Sequence, residues 1–160
     1  MSTHEHGPVL RSSAFTGIPR PDYADVIVIP KHPRTPDDPE RWATAIFGLA
    51  TVPGWVKALL ALRQALVPLI GVPRAGRDVF AVSRVEGEEA LIVADDAHLD
   101  FRCAVGVDAR AGLVRVTTAV RLHGWRGRLY FAPVRVVHPL VVTAMVRRAA
   151  RDLARRSPRG

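Results

Sequence analysis

The strongest constraint on the fold is a regular alternation of apolar and polar residues on both sides of a turn at Gly112. Successive side chains of a β-strand point to opposite faces, so this alternation predicts two strands that each bury one face. The predicted inward residues are Leu99, Phe101, Cys103, Val105 and Val107, then Val114, Val116, Thr118, Val120 and Leu122. A slip of one residue would expose both apolar rows. We therefore predict an antiparallel hairpin with Cys103 opposite Thr118 and an ion pair between Asp100 and Arg121.

Shorter patterns predict the elements before this hairpin. They are a strand over residues 22–29, helices over 39–48 and 53–67, and strands over 79–85 and 90–94. The first helix has Asp37 or Asp38 as a cap, Pro39 at its first position and Gly48 at its end. Residues 1–20 are polar and lack periodicity, so we expect a flexible tail there.

A long C-terminal helix is expected to close the fold. Its apolar stripe is formed by Val142, Val146, Ala149 and Leu153, with His138 at the head of the stripe. Pro133 and Pro139 each lack a backbone donor and clash with the preceding turn. We therefore expect a kink or two pieces, a short turn over 126–132 and a longer helix from about 134 or 139.

These elements combine into an α+β fold of order β-α-α-β-β-β-β-α. The antiparallel sheet would be covered on its apolar face by the long helix. A chain of 160 residues suits a single core. We predict one domain over residues 21–156, followed by a tail over 157–160.

The charge composition limits the classes of partner that the protein could bind. The net charge is +8, and nearly all the cations are arginine. The C-terminal cluster comprises Arg147, Arg148, Arg151, Arg155 and Arg156. Such a cluster can bind phosphates, but no aromatic residues are interleaved with it to stack on bases. We interpret it as a solvated helix face and expect no nucleic acid, with peripheral membrane contact as the weaker alternative.

Two further features of the sequence indicate the cellular compartment. Cys103 is the single cysteine and cannot form an internal disulfide, and the N-terminus lacks the pattern of a signal peptide. We therefore expect a cytoplasmic protein. Residues 129–146 are long enough to cross a membrane, but Arg135, His138 and the two prolines argue against a span.

Three segments carry a family resemblance. They are residues 55–63 (WVKALLALR), 95–101 (DDAHLDF) and 127–131 (GRLYF), the last continuing to His138 and Met145. With the first strand they cover about residues 22–155 and resemble a bacterial family of uncharacterised domains. The order of elements is similar to the helix-grip fold of the START-like, polyketide-cyclase-like (SRPBCC) superfamily. That resemblance implies a cavity between sheet and helix that binds apolar ligands, and cyclisation, hydroxylation or demethylation in a few members.

The resemblance implies a set of cavity residues. They are Leu99, Phe101, Cys103, Val116, Thr118, Val120, Tyr130, His138, Val142 and Met145. A second polar cluster, near a predicted turn, consists of Asp95, Asp96, His98, Asp100 and His123. These residue types can bind a metal or transfer protons, but they also suit a hairpin turn, which is our interpretation. We expect neither a metal nor a cofactor.

Three functions are compatible with these patterns. The first is a module that holds a small apolar ligand or lipid, with Thr118 and His138 as its polar contacts. The second is an enzyme of the cyclase or hydratase type, with His138 or Tyr130 as the acid–base group. The third is a partner-docking domain with a filled core.

Overall fold

The computed structural model describes residues 11–48, 54 and 81–156. Its elements are a short 3-10 helix Ser13–Phe15, strand β1 Tyr23–Pro30, helix α1 Pro39–Phe47, strands β2 Arg84–Glu86, β3 Glu89–Asp95, β4 Leu99–Asp108 and β5 Leu113–Leu122, and helix α2 Gly124–Arg156. The α+β class and the predicted order of these elements are confirmed. The predicted helix over 53–67 lies outside the described residues except for Gly54. The predicted strand over 79–85 overlaps β2 by two residues.

The five strands form one antiparallel sheet in the order β1-β5-β4-β3-β2. The predicted hairpin register is confirmed, with Cys103 opposite Thr118 and Val107 opposite Val114. The first strand of the chain, β1, pairs with β5 and places Asp25 opposite Thr118. This pairing joins elements about ninety residues apart and determines the surroundings of Asp25.

The predicted ion pair between Asp100 and Arg121 is wrong. The two residues are opposite each other in the register, but Asp100 Oδ1 lies 3.0 Å from His123 Nε2 instead. The side chain of Arg121 is exposed. The register determines only the backbone positions. An exposed arginine gains well under about 1 kcal/mol from such an ion pair, so hydration of the Arg121 side chain is at least as favourable.

Helix α2 packs on the apolar face of the sheet, as predicted. Its inward residues Val142, Met145, Val146, Ala149 and Leu153 join a core with Cys103, Val105 and Val116 of the hairpin and Trp42 and Ile46 of α1. Asp38 caps α1 by accepting hydrogen bonds from the backbone N–H groups of Glu40 and Arg41, and Pro39 occupies the first helical position. The core therefore follows from the two periodicities read in the sequence.

Of the two forms expected for α2, a kinked helix or two pieces, the two pieces are wrong. One helix runs from Gly124 to Arg156 and contains both Pro133 and Pro139. The carbonyls that lose their partners belong to Leu129 and Arg135, and both of these residues are exposed. Water can therefore hydrogen-bond to the freed carbonyls, which removes most of the reason for a break.

Residues 12–18 do not form the flexible tail that was predicted. They lie on the face of the sheet opposite α2, where Ala14 packs with Leu91, Ala104 and Ala119. Ser12 caps the single 3-10 turn by accepting from the backbone N–H of Ala14. One turn is too short to show a period, so this packing left no pattern in the sequence.

Candidate functional site

A polar cluster lies between β1 and the first half of α2. The hydroxyl of Tyr23 donates to Asp25 Oδ2 at 2.8 Å, and the same oxygen lies 2.9 Å from His138 Nδ1. Tyr23 and Asp25 are two residues apart on a strand, so both point toward the helix. His138 precedes Val142 by one helical turn and therefore points toward the sheet.

Apolar groups enclose this cluster. Asp25, Thr118, Cys103 and Ile92 are neighbours in one row across four strands of the sheet. The ring of Tyr23 makes edge contacts with Phe131 and with His138, at centroid distances of 5.1 and 5.7 Å. The side chains of Asp25 and His138 are only 14% and 16% exposed. The cluster is thus a polar group set into an otherwise apolar layer.

Within the part of the chain that the structure describes, two buried polar atoms of this row make no hydrogen bond of ordinary geometry, although Thr118 lies near enough to Asp25 and Cys103 to lower the pKa of both. They are Asp25 Oδ1 and Thr118 Oγ1, which lie on residues directly opposite each other. Buried polar atoms in proteins are nearly always satisfied, and leaving one without a partner costs about 1–3 kcal/mol. One free acceptor and one free hydroxyl, side by side, form an arrangement that a polar group of a bound molecule could complete.

The surroundings determine the protonation states of Asp25 and Tyr23. Burial by itself would raise the pKa of Asp25, but the hydrogen bond and charge of His138, with smaller effects of Tyr23 and Thr118, lower it below its ordinary value. Asp25 is therefore a carboxylate at neutral pH. Burial and the neighbouring Asp25 raise the pKa of Tyr23 above its usual range, so the phenol stays protonated and donates.

Cys103 is not equipped as a nucleophile. Burial, followed by the charge of Asp25, raises the pKa of its thiol to about 12, although Thr118 partly opposes this. The reactive form of cysteine is the thiolate, which is therefore scarce at neutral pH. Cys103 contributes apolar surface to the row and no reactive group.

The predicted cavity residues divide between the two layers. Cys103, Val116, Thr118 and Val120 are buried on the sheet, and Val142 and Met145 are buried on α2; Leu99, Phe101, Tyr130 and His138 are half-buried. His138 and Thr118 are both next to Asp25, which contacts the ring of His138 and lies opposite Thr118 in the sheet. Sequence reasoning missed Asp25 and Tyr23. One signal in the sequence could have found them. Tyr23 and Asp25 occupy alternate, inward positions of β1, and Asp25 is the one charged residue among those positions.

The structure brings members of the second predicted cluster together in separate pairs, and Asp95 alone pairs with a residue outside the cluster. Asp95 pairs with Arg102, Asp96 accepts from the backbone N–H of His98, and Asp100 pairs with His123. Among the residues that the structure describes, no group of three or more His, Cys, Asp or Glu side chains could hold a metal. The turn interpretation accounts for these contacts.

Two clefts of the described part lie outside the interface between sheet and helix. One, of about 230 Å³, is on the opposite face of the sheet beside Val26, Val28 and Arg115. The other, of about 330 Å³, is at the start of α2 beside His98 and His123. Neither includes a residue of the Tyr23–Asp25–His138 cluster.

By length and composition alone, α2 could cross a membrane. Its most apolar window has a mean hydropathy of 1.6, and 22% of that window is buried. Core helices of soluble proteins can pass the same criterion, and α2 packs one face on the sheet. Most of this apolar window is nevertheless at least partly exposed, which is unusual for a core helix.

The fold and site define an α+β domain in which one long helix covers a five-stranded antiparallel sheet, with a buried Tyr–Asp–His cluster between the two layers. The family described as "Protein of unknown function (DUF2867)" matches residues 18–145, which is most of the chain. The chain belongs to this family. The match includes Tyr23, Asp25, Thr118 and His138. No curated protein and no solved structure matches the chain.

Proposed function

We propose that the protein binds a small, largely apolar molecule between the sheet and the first half of α2. Asp25, Thr118 and His138 would hold one polar group of that molecule. The observation that carries the proposal is the pair of buried, unpartnered atoms, Asp25 Oδ1 and Thr118 Oγ1, beside an otherwise satisfied Asp–His contact. A helix-grip fold, which the order of elements resembles, would hold its ligand at this place.

Stability gives little reason for a carboxylate–imidazole pair at this position. Taking a carboxylate and an imidazole out of water costs several kcal/mol, and apolar residues of similar volume often serve the fold as well or better. The apolar neighbours Ile27, Phe131 and Val142 suit an apolar body. A carboxylate oxygen accepts hydrogen bonds, so the complementary group on the ligand is a donor such as a hydroxyl or an amine.

The first experiment is native mass spectrometry of the protein purified from cells, followed by denaturing extraction. A molecule that co-purifies at near one-to-one ratio supports the proposal. In Thr118→Val, which removes one hydroxyl and keeps the volume, we expect about a ten-fold loss of affinity for the extracted molecule.

Thr117→Val is the matched control. Thr117 is on the same strand, is fully buried and also has an unpartnered hydroxyl, but it faces the opposite side of the sheet. Equal effects of the two substitutions would contradict the assigned site. A clean apo mass, with no thermal shift across a panel of lipids and polyketides, would favour a partner-docking domain with a filled core.

One observation favours an enzyme as the second candidate. Asp25 contacts Nδ1 of His138, which orients the ring and leaves Nε2 as the nitrogen that can exchange a proton with a bound molecule. Tyr23, which the sequence analysis did not single out, is in contact with this pair.

The enzyme candidate is tested by incubating the extracted molecule with wild type, His138→Ala and His123→Ala. His123 also pairs with an aspartate, at 3.0 Å, but lies away from the cluster, so it serves as the control. Chemical conversion by wild type and His123→Ala, and none by His138→Ala, would support acid–base catalysis. An unchanged molecule in all three samples would leave binding alone.

A further inference from the structure

The side of α2 that faces away from the sheet is apolar over its first half. Trp125, Leu129, Val136 and Leu140 are 67%, 53%, 69% and 68% exposed. Their spacing of i, i+4, i+11 and i+15 places them on one stripe, opposite the inward residues of the same helix. We call these four residues the outer stripe; at 1.5 Å per residue it extends over roughly 24 Å.

Such a stripe is unexpected on a helix that covers a sheet, since the solvent side of such a helix is normally polar. Apolar residues scattered singly on a surface need no explanation, but a contiguous apolar patch marks an interaction site. The most apolar window of α2 is only 22% buried, which is consistent with a missing partner.

Charge indicates what this partner is. Arg126, Arg128 and Arg135 flank the outer stripe and are exposed, and Arg147 and Arg151 continue its direction along the helix. The only acidic residue of α2 is Asp152, which pairs with Arg155 and Arg148. A second copy of the chain would bring arginines against arginines, whereas an anionic surface complements them.

The shape of the patch favours a lipid surface over a folded acidic partner. The outer stripe is the convex ridge of a single helix, with a tryptophan at one end and arginines on its flanks. This is the pattern of helices that lie in the membrane interface, with the apolar side in the acyl boundary and cations among the headgroups. We infer that the outer stripe docks the domain on an anionic lipid membrane, with α2 parallel to the surface.

Two features argue for lying on the membrane rather than crossing it. The opposite side of α2 packs on the sheet and carries the contact between His138 and Asp25. The carbonyls of Leu129 and Arg135, freed by the two prolines, need water, which the interface provides and the hydrocarbon core does not. The contact therefore involves the apolar first half of α2, and not mainly the C-terminal arginines considered from the sequence.

The test is flotation of the full chain with vesicles of phosphatidylcholine, with or without phosphatidylglycerol. We expect binding to the anionic vesicles that weakens as salt is added. The double variant Leu129→Gln/Leu140→Gln should bind about ten-fold or more weakly, because two apolar side chains no longer enter the acyl boundary. Val28→Gln is the control, since Val28 is 50% exposed on the opposite face of the sheet.

Each outcome of the flotation experiment either supports or overturns the inference. Binding that is lost in the double variant and kept in Val28→Gln supports the inference. Absence of binding, or equal binding by both variants, overturns it. It is also overturned if the double variant dissociates a lipid-free dimer, or lowers the melting temperature far more than an exposed site allows, because another protein surface then covers the stripe. Thr118→Val should bind vesicles as wild type does, so this test does not depend on the ligand proposal.

Discussion

Replacing Glu89 with glutamine is expected to destabilise the domain strongly, although the change is nearly isosteric. Glu89 is 9% exposed on the face of the sheet opposite α2. Its Oε2 accepts from the backbone N–H and hydroxyl of Ser13, at 2.6 and 2.7 Å, and from the hydroxyl of Ser12 at 3.3 Å. Its Oε1 accepts from Arg115 Nη2 at 2.7 Å. One carboxylate thus attaches the N-terminal segment to the sheet.

The magnitude follows from the donors. The backbone N–H of Ser13 and the guanidinium of Arg115 can only donate, and they approach different oxygens. A glutamine amide offers one oxygen, so its NH₂ group must face one of these donors. A hydrogen bond to a charged group is worth about 1.5–3 kcal/mol, and an unpaired buried donor costs about 1–3 kcal/mol. We expect a loss of about 3 kcal/mol, or roughly 6–12 °C in melting temperature for a chain of this size.

The assay is urea unfolding of wild type and Glu89→Gln at neutral pH, repeated at acidic pH. Glu86→Gln is the control, because Glu86 pairs with Arg84 on the surface and should contribute under about 1 kcal/mol. Burial alone would raise the pKa of Glu89, but Ser13, Arg115 and Ser12 together lower it.

The sign of the pH effect follows from that direction. The stabilisation by Glu89 is fully present above its unfolded pKa, near 4.5, and is lost as the pH falls through the lower folded value. The difference between wild type and variant should therefore shrink in acid. A difference of less than about 1 kcal/mol at neutral pH would refute the assigned role, since so small a loss is typical of surface pairs.

Three further predictions concern the sheet–helix interface. Gly127→Ala should lower stability by about 1–3 kcal/mol in calorimetry, although alanine favours helices, because the added Cβ would meet the carbonyl oxygen of His98; a stabilised variant would contradict this close approach. Tyr23→Phe should cost about 1 kcal/mol in urea unfolding near neutral pH. Because the pKa of Tyr23 is raised on folding, the advantage of wild type over this variant should fall as the pH rises above about 10, and a growing advantage would be inconsistent with it. Cys103 should react with a thiol reagent at mildly alkaline pH only after unfolding, and rapid labelling of the native protein would show that the residue is not buried as described.

Periodicity predicted the parts of this fold that depend on neighbours in the chain. The alternation around Gly112 gave the register of β4 and β5, because only one pairing buries both apolar rows. The cap, first proline and end of α1 are equally local, and they are confirmed. For Pro133 and Pro139 the same reasoning could not choose between a kink and a break, since whether a freed carbonyl finds water depends on which side of the helix is exposed.

Only part of the candidate site could be predicted from the sequence. Thr118 and His138 stand out as polar residues on apolar stripes, but Asp25 becomes their neighbour only because β1 pairs with β5. The pairing of these distant strands is encoded in no local pattern, since an edge strand could equally have joined the other side of the sheet. The contact between Asp100 and His123 and the attachment of Ser13 to Glu89 likewise depend on tertiary packing.

The sequence by itself therefore determined which residues of the hairpin and of α2 face inward, the cap and end of α1 and the register of the hairpin, because these follow from side-chain geometry along one segment. Tertiary structure alone decided which inward residues meet. It brought a half-buried carboxylate to a histidine more than one hundred residues away, and it left one side of an apolar helix uncovered by the other described residues. Both depend on how separate elements pack, which periodicity within each element does not specify.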